Sequence, residues 1–264
     1  MRPTNRWTRG SIACFSTWFI EFKVVAGARP RQLRRWAACG RRRERLIAHA
    51  LLFDLDGTLT DPKPGIVGCL RFALDQLGVS CPSDDVLATF IGPPLRGTFA
   101  MLLDTSDVFR IEEAVKWYRQ RFAATGLYEN QVYAGVPAML EHAQQAATAM
   151  YVATSKPAAY AERIVQHFGL DHHFRQVYGA ELDGRREDKA DLVAYVLASE
   201  GVGAQAAVMI GDRAADVRAA KANGVRSIGV LWGYGSAHEL LDAGVNILCK
   251  TPWELAAYLS GNAI

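Results

Sequence analysis

The chain has 264 residues, half of them hydrophobic and 22% charged, which supports one large packed domain or a core with a smaller inserted one and excludes wholesale disorder. No run approaches the roughly 18 apolar residues of a membrane span. Five scattered cysteines without a Cys-x-x-Cys argue against a disulfide framework or a cysteine-built zinc site and suit a reducing, cytoplasmic setting. The net charge of +3 divides into +10 over residues 1–48 and −7 over the remainder, so the body is acidic and the basic character belongs to a leader.

That leader holds an arginine cluster (Arg31, Arg34, Arg35, Arg41, Arg42, Arg43, Arg45) and a short apolar stretch from Ser11 to Ile20. Glu21 and Lys23 follow the stretch where a secretory signal needs a small-residue cleavage site. Abundant arginine and scarce acid suit an organelle transit peptide, but the preferred reading is a disordered or loosely helical extension. The cluster forms no recognisable module, so no specific nucleic-acid partner is expected.

The first buried strand is predicted near Ala50, where Ala50-Leu51-Leu52-Phe53 runs into Asp54 and the Asp56-Gly57 turn. Residues 64–131 then read as helices only: Ile66–Leu77, Ser83–Phe90, Leu95–Leu103 and Val108–Thr125. Pro62, Pro64 and Pro82 punctuate this block, and Ser83 and Asp107 are candidate N-caps. Trp117, Tyr118 and Phe122, at helical spacing, are expected in its core.

From Val136 onward helices and strands alternate. The predicted helices are Val136–Ala147, Ala158–Phe168, Lys189–Glu200, Asp216–Asn223 and Ala237–Ala243. The predicted strands are Ala149–Ala153, Gln176–Tyr178, Ala206–Ile210, Arg226–Leu231 and Val245–Leu248. Gly169, Gly201, Gly224 and Gly244 stand where C-terminal caps belong. Such alternation predicts a parallel sheet covered on both faces. The fold class is therefore α/β: a Rossmann-like parallel sheet core over 49–63 and 132–264, with an inserted all-helical cap over 64–131.

Four segments carry chemistry, and ligands of open parallel sheets bind beyond the carboxyl ends of the strands. Asp54 and Asp56, two apart at a strand end, can share one side of the crevice, one attacking an electrophile while the other moves a proton. Two carboxylates so close call for a cation with oxygen ligands, Mg²⁺. Thr154 and Ser155 end a strand just before a helix and offer hydroxyl and N–H groups to an anion. Lys189 opens a helix, and Asp212 ends a strand one helical turn before Asp216. Each segment alone is equally a turn, a cap or a solvated charge; together, on this frame, they are more.

In this order and spacing the four resemble the motifs of the haloacid dehalogenase-like hydrolase superfamily, phosphoglycolate phosphatase-like branch, over about residues 49–264. Asp54-Leu55-Asp56-Gly57-Thr58-Leu59 resembles its first motif, and Thr154, Lys189 and Gly211-Asp212 with Asp216 fill the other three. Ile91-Gly92-Pro93-Pro94-Leu95 and Gly229-Val230-Leu231-Trp232-Gly233-Tyr234-Gly235 are also similar to that branch. The resemblance implies a Mg²⁺-dependent phosphomonoester hydrolase acting on a small phosphorylated substrate. Asp54 would be the nucleophile and Asp56 the acid and base. Thr154, Ser155 and Lys189 would bind phosphate. The metal would sit on Asp54, the Asp56 carbonyl and Asp212, with Asp216 supporting.

Phosphoglycolate leads as substrate, followed by nucleoside monophosphates, pyrophosphate and sugar phosphates. A phosphosugar mutase shares these motifs, and a non-catalytic binding protein of the same fold is the rival of a different class. Arg96 is a candidate contact to an anionic substrate group, and His172-His173 read as surface histidines. Nothing in the sequence fixes the oligomeric state.

Overall fold

The computed structural model describes residues 48–261, so the expected leader, Ala48 apart, lies outside the described residues. Strand β1 (Ala48–Phe53) sits at the centre of a six-stranded sheet. Its partners are β4 (Ala147–Pro157), β5 (Gln176–Ala180), β6 (Ala207–Gly211), β7 (Arg226–Val230) and β8 (Ile247–Cys249), in the order β5-β4-β1-β6-β7-β8. Every pairing in this sheet is parallel.

Residues alternate across the sheet as the pleat requires. On β1, Leu51 and Phe53 enter one hydrophobic cluster and Ala50 and Leu52 the other. The first cluster is completed by helices α5 (Val136–Ala146), α6 (Ala158–His167) and α10 (Pro252–Leu259), through Leu140, Ile164 and Leu255 among others. Helices α7 (Lys189–Glu200) and α8 (Ala214–Ala222) cover the second face through Val193, Val196, Ala219 and Ala220. Helix α9 (Ala237–Ala243) follows β7. No helix among the described residues is long and apolar enough to cross a membrane.

Between β1 and α5 the chain builds the helical block. It leaves through β2 (Thr60–Asp61) and returns through β3 (Gln131–Val132), which pair antiparallel as a two-strand neck. Inside lie α1 (Lys63–Gln76), α2 (Asp84–Ala88), α3 (Leu95–Leu102) and α4 (Val108–Arg121), the last continued by a π turn over Phe122–Gly126. Asp107 caps α4 by accepting from the Phe109 N–H at 3.0 Å, whereas Ser83 precedes α2 without a side-chain capping bond. Tyr118 stacks on Phe122 at 5.6 Å, and Trp117 packs edge-on against Phe72.

The elements differ from the sequence expectation at several places. The neck strands are two residues each, too short to show a period. Strand β4 runs four residues beyond its apolar stretch, because Thr154–Pro157 stay extended into the crevice with a register shift against β5. Helix α10 lies beyond the predicted elements, although Thr251 caps it at the Glu254 N–H and Glu254 accepts from the Lys250 N–H. His173, expected at the surface, is buried.

Candidate active site

The strand order reverses at β1: β4 and β5 extend to one side, β6 to β8 to the other. The carboxyl end of β1 is thus the switch point at which an open α/β sheet forms its crevice. Asp54 follows β1 directly, its backbone N–H still bonded to the Ile210 carbonyl of β6 at 2.9 Å. The chain then makes one tight helical turn, with the Leu59 and Thr60 N–H groups bonded to the Leu55 carbonyl, and this brings Asp56 back over the strand end. Gly57 permits the turn with φ of 84°, and a Cβ there would strike the Asp212 carboxylate.

Lys189, first residue of α7, is positioned by Asp188, which caps the helix at the Ala190 and Asp191 N–H groups. Its Nζ lies 2.8 Å from Asp54 and also contacts Asp216, and all three side chains are buried. Burial opposes the lysine charge, but Asp216 and Asp54 outweigh it and hold the Lys189 pKa above its ordinary value. One ammonium shared between two carboxylates leaves Asp216 incompletely compensated, so burial still raises that carboxyl.

Asp212 follows β6 and is fully buried. Its Oδ2 accepts the Tyr234 N–H at 2.7 Å, while Oδ1 has no hydrogen-bond donor among the described residues. Burial first, then the Asp216 and Asp54 charges, push its pKa to about 8. Asp54, Asp212 and Asp216 can bring one oxygen each within 4.8 Å of one another. Three clustered carboxylates facing one lysine, one of them with a bare buried oxygen, fit a hard divalent cation with oxygen ligands.

Asp56 has a different companion. Its Oδ2 is 2.8 Å from the Nζ of Lys156, and that ammonium also lies 4.6 Å from the centre of the Phe122 ring. Burial raises the Asp56 pKa, with Lys156 opposing, so the site favours a proton on this carboxyl more than water does. The sequence pattern by itself assigns Lys156 no role. The available signal is spacing: two residues after Thr154 on an extended strand, it shares that residue's face. Thr154 is buried, accepts the Lys156 N–H at 3.2 Å, and with Ser155 lines a cavity of about 100 Å³ above Asp54 and Asp56.

Asp54, Asp56, Thr154, Ser155, Lys189, Asp212 and Asp216 therefore converge. Arg96 does not join them. It bonds Glu112 within the helical block and reaches Glu187 of the sheet domain at 3.4 Å, so it bridges the two parts and is not among the residues that line the cavity. The Gly-Pro-Pro loop does line the cavity, and Arg213 fixes it by donating to the Ile91 carbonyl at 2.5 Å. The glycine-rich loop after β7 wraps the Asp212 end of the cluster. Tyr234 bonds Asp212 through its backbone and Asp61 of the neck through its phenol, and Trp232 donates to the Thr58 carbonyl at 2.9 Å.

The chain is similar to known proteins over most of its length. A 5'-nucleotidase of Pseudomonas aeruginosa is 50% identical over 190 residues, 72% of this chain and 86% of that protein. The tyrosine-protein kinase PtkA of Mycobacterium tuberculosis is 40% identical over 188 residues, 71% of this chain but only 63% of its own length. Among solved structures, a predicted phosphatase from Clostridium acetobutylicum superposes with a TM-score of 0.77 at 37% identity, over 80% of this chain and 97% of that one. The family of haloacid dehalogenase-like hydrolases matches residues 51–230, and the chain belongs to it.

Proposed function

We propose that the protein is a Mg²⁺-dependent phosphomonoester hydrolase of the cytoplasm that works through an aspartyl-phosphate on Asp54. One observation carries this reading: Lys189 joins Asp54 to Asp216 beside an Asp212 oxygen that is buried without a donor. The arrangement suits a divalent cation that meets a dianionic phosphoryl group and is costly otherwise. A Mg²⁺ ion held by Asp54, the Asp56 carbonyl and Asp212, with Asp216 in support, would neutralise charge on the transferring phosphoryl group.

Each side chain then has a definable task. Asp54 attacks phosphorus in line with the leaving oxygen. Lys189 and the Thr154 and Ser155 groups hold the phosphoryl oxygens, stabilising the charge that spreads over them. Asp56, its carboxyl biased toward the protonated form by burial, gives its proton to the departing alcohol. It then takes one from the water that cleaves the acyl-phosphate, and Lys156 steadies it in that ionised phase. The helical residues 64–131 act as the cap that excludes water during the first transfer.

Phosphoglycolate and nucleoside 5'-monophosphates are the leading substrates. The small cavity supports the first and the name of the 50% identical relative the second. The acid at Asp56 supports hydrolysis over dehalogenation. Phosphate release from a panel of esters, with and without EDTA, tests the reading. Metal-dependent release is expected, and undiminished release in EDTA contradicts it.

A further inference from the structure

The two carboxyl oxygens of Asp56 have different surroundings. Oδ2 is 2.8 Å from the Lys156 Nζ, whereas Oδ1 is buried with no hydrogen-bond partner among the described residues. Asp56 lines the cavity, and its carboxyl is not one of the three that cluster as candidate cation ligands. Oδ1 is thus the oxygen left for a group that enters the cavity.

Lys156 is itself held in place. Its side chain is 6% exposed, and among the described residues Asp56 is the only acid that its ammonium pairs with. Its backbone N–H donates to the Thr154 hydroxyl at 3.2 Å, in the stretch where β4 shifts register against β5. The Nζ lies 4.6 Å from the centre of the Phe122 ring, close enough for the ring's quadrupole to attract a desolvated cation. Phe122 belongs to the helical block, where it opens the π turn Phe122–Gly126 and its carbonyl accepts the Leu127 N–H at 2.9 Å. π turns within helices are frequent at functional sites. Two tyrosines fix the ring: Tyr118 of α4 stacks on it at 5.6 Å, and Tyr160 of α6 meets it edge-on at 5.2 Å. Contacts therefore run without a break from ring to ammonium to Oδ2.

We propose that Phe122 and Lys156 are positioning residues for the acid: the ring seats the ammonium, the ammonium occupies Oδ2, and the proton is given from Oδ1. This rests on the phosphomonoesterase reading and adds to it the atom that gives the proton and the residue of the helical block that aims it. As an Asp54 oxygen bonds to phosphorus and the ester P–O bond breaks, the Oδ1 proton passes to the departing oxygen. Asp56 is left as a carboxylate already paired with Lys156. A buried ion pair is often no more stabilising than apolar side chains of the same volume, so its use here is direction. Without the ammonium the carboxyl turns about its Cβ–Cγ bond, and the proton is no longer held toward the leaving group. An ester whose leaving group departs unprotonated does not need that aim.

The test compares ethyl phosphate, whose alkoxide needs a proton to depart, with p-nitrophenyl phosphate, whose phenolate does not. Single turnovers with the full chain and Mg²⁺ read the phosphorylation step and its half-saturating concentration. Lys156→Met should lose about 10- to 100-fold in rate on ethyl phosphate and less than about 3-fold on p-nitrophenyl phosphate, within the range of a proton-transfer residue, with half-saturation little changed. Lys156→Arg, which keeps a cation for Oδ2, should regain most of the loss. Phe122→Leu should show the same contrast between the esters at about 3- to 10-fold, the scale of one cation–π contact. On an Asp56→Asn background neither substitution should add more than about 2-fold, because residues that act as a unit are not additive. Equal losses on the two esters, or full losses on the Asp56→Asn background, would overturn the assignment. If Lys156→Met fails to fold, Lys156→Arg and Phe122→Leu decide by the same ratios. Failure of the hydrolase reading looks different: wild type turns over neither ester, and this inference falls with it, whereas wild-type turnover with equal losses overturns this inference alone.

Discussion

Lys189 meets Asp54 at 2.8 Å in the floor of the crevice, and the same ammonium contacts Asp216. The lysine, to which the proposed mechanism gives the phosphoryl oxygens, is the only cation among the described side chains paired with the Asp54–Asp216 end of the cluster. Lys189→Met should abolish turnover and leave buried carboxylates uncompensated. Breaking one partner from a buried pair costs about 3–5 kcal/mol. Thermal melts of the metal-free proteins should show a marked drop, and an unchanged melting temperature would mean that the cluster is already protonated and neutral.

Metal occupancy should be visible without turnover. With Asp212 pushed up to about 8 by burial and by Asp216 and Asp54, folding competes with ionisation there. The folded chain holds a proton that the unfolded chain has released, so metal-free stability falls as pH rises from the ordinary aspartate range toward 8. Mg²⁺ should reverse that loss, raising the melting temperature more at pH 8 than at low pH. Asp212→Asn should lose the increment. A Mg²⁺ shift of equal size in that variant would place the ion elsewhere.

Asp56 should separate from Asp54 by degree. A proton-transfer residue is worth about 10²–10⁴-fold, so Asp56→Asn should slow the enzyme and not erase it. The deficit should shrink with good leaving groups such as p-nitrophenyl phosphate wherever phosphorylation limits the rate, because these depart without a proton. An equal deficit across leaving groups would assign Asp56 to shape alone.

His173 supplies a pH effect remote from the crevice. Burial, with the neighbouring His172 in support, lowers its pKa below the usual 6.5, and its Nδ1 has no partner among the described residues. Protonation therefore favours the unfolded chain. The neutral form contributes stability that is full above 6.5 and lost as pH falls through the lowered folded value. His173→Phe should flatten the decline in melting temperature over that acid interval. A decline identical to wild type would assign it to other groups.

Much of this site is legible in the sequence because its chemistry sits at strand ends, and strand ends show as apolar runs stopped by Asp or Thr. Asp54, Thr154 and Asp212 each follow or close such a run. Lys189 and Asp216 are legible from helix starts. The unread parts depend on distant partners. Lys156 looks like any solvated lysine until β4 stays extended long enough to set it beside Asp56. Arg96 and Arg119 are both arginines of the inserted helices, and nothing local says that Glu187, 91 residues beyond Arg96, binds one of them while the other lines the cavity with an Nε that has no hydrogen-bond partner among the described residues. The neck strands β2 and β3 exist only because Thr60 pairs with Val132 across the whole length of the helical block.

The central claim is the covalent step on Asp54. Acid-quenched wild-type enzyme, mixed with substrate and Mg²⁺, should yield a peptide containing Asp54 that carries one phosphoryl group by mass spectrometry. That adduct should be absent from Asp54→Asn, whose circular dichroism should match wild type while its turnover is lost. Substantial phosphate release by a folded Asp54→Asn protein, or a phosphoryl adduct on another residue of the turning-over enzyme, would contradict the account.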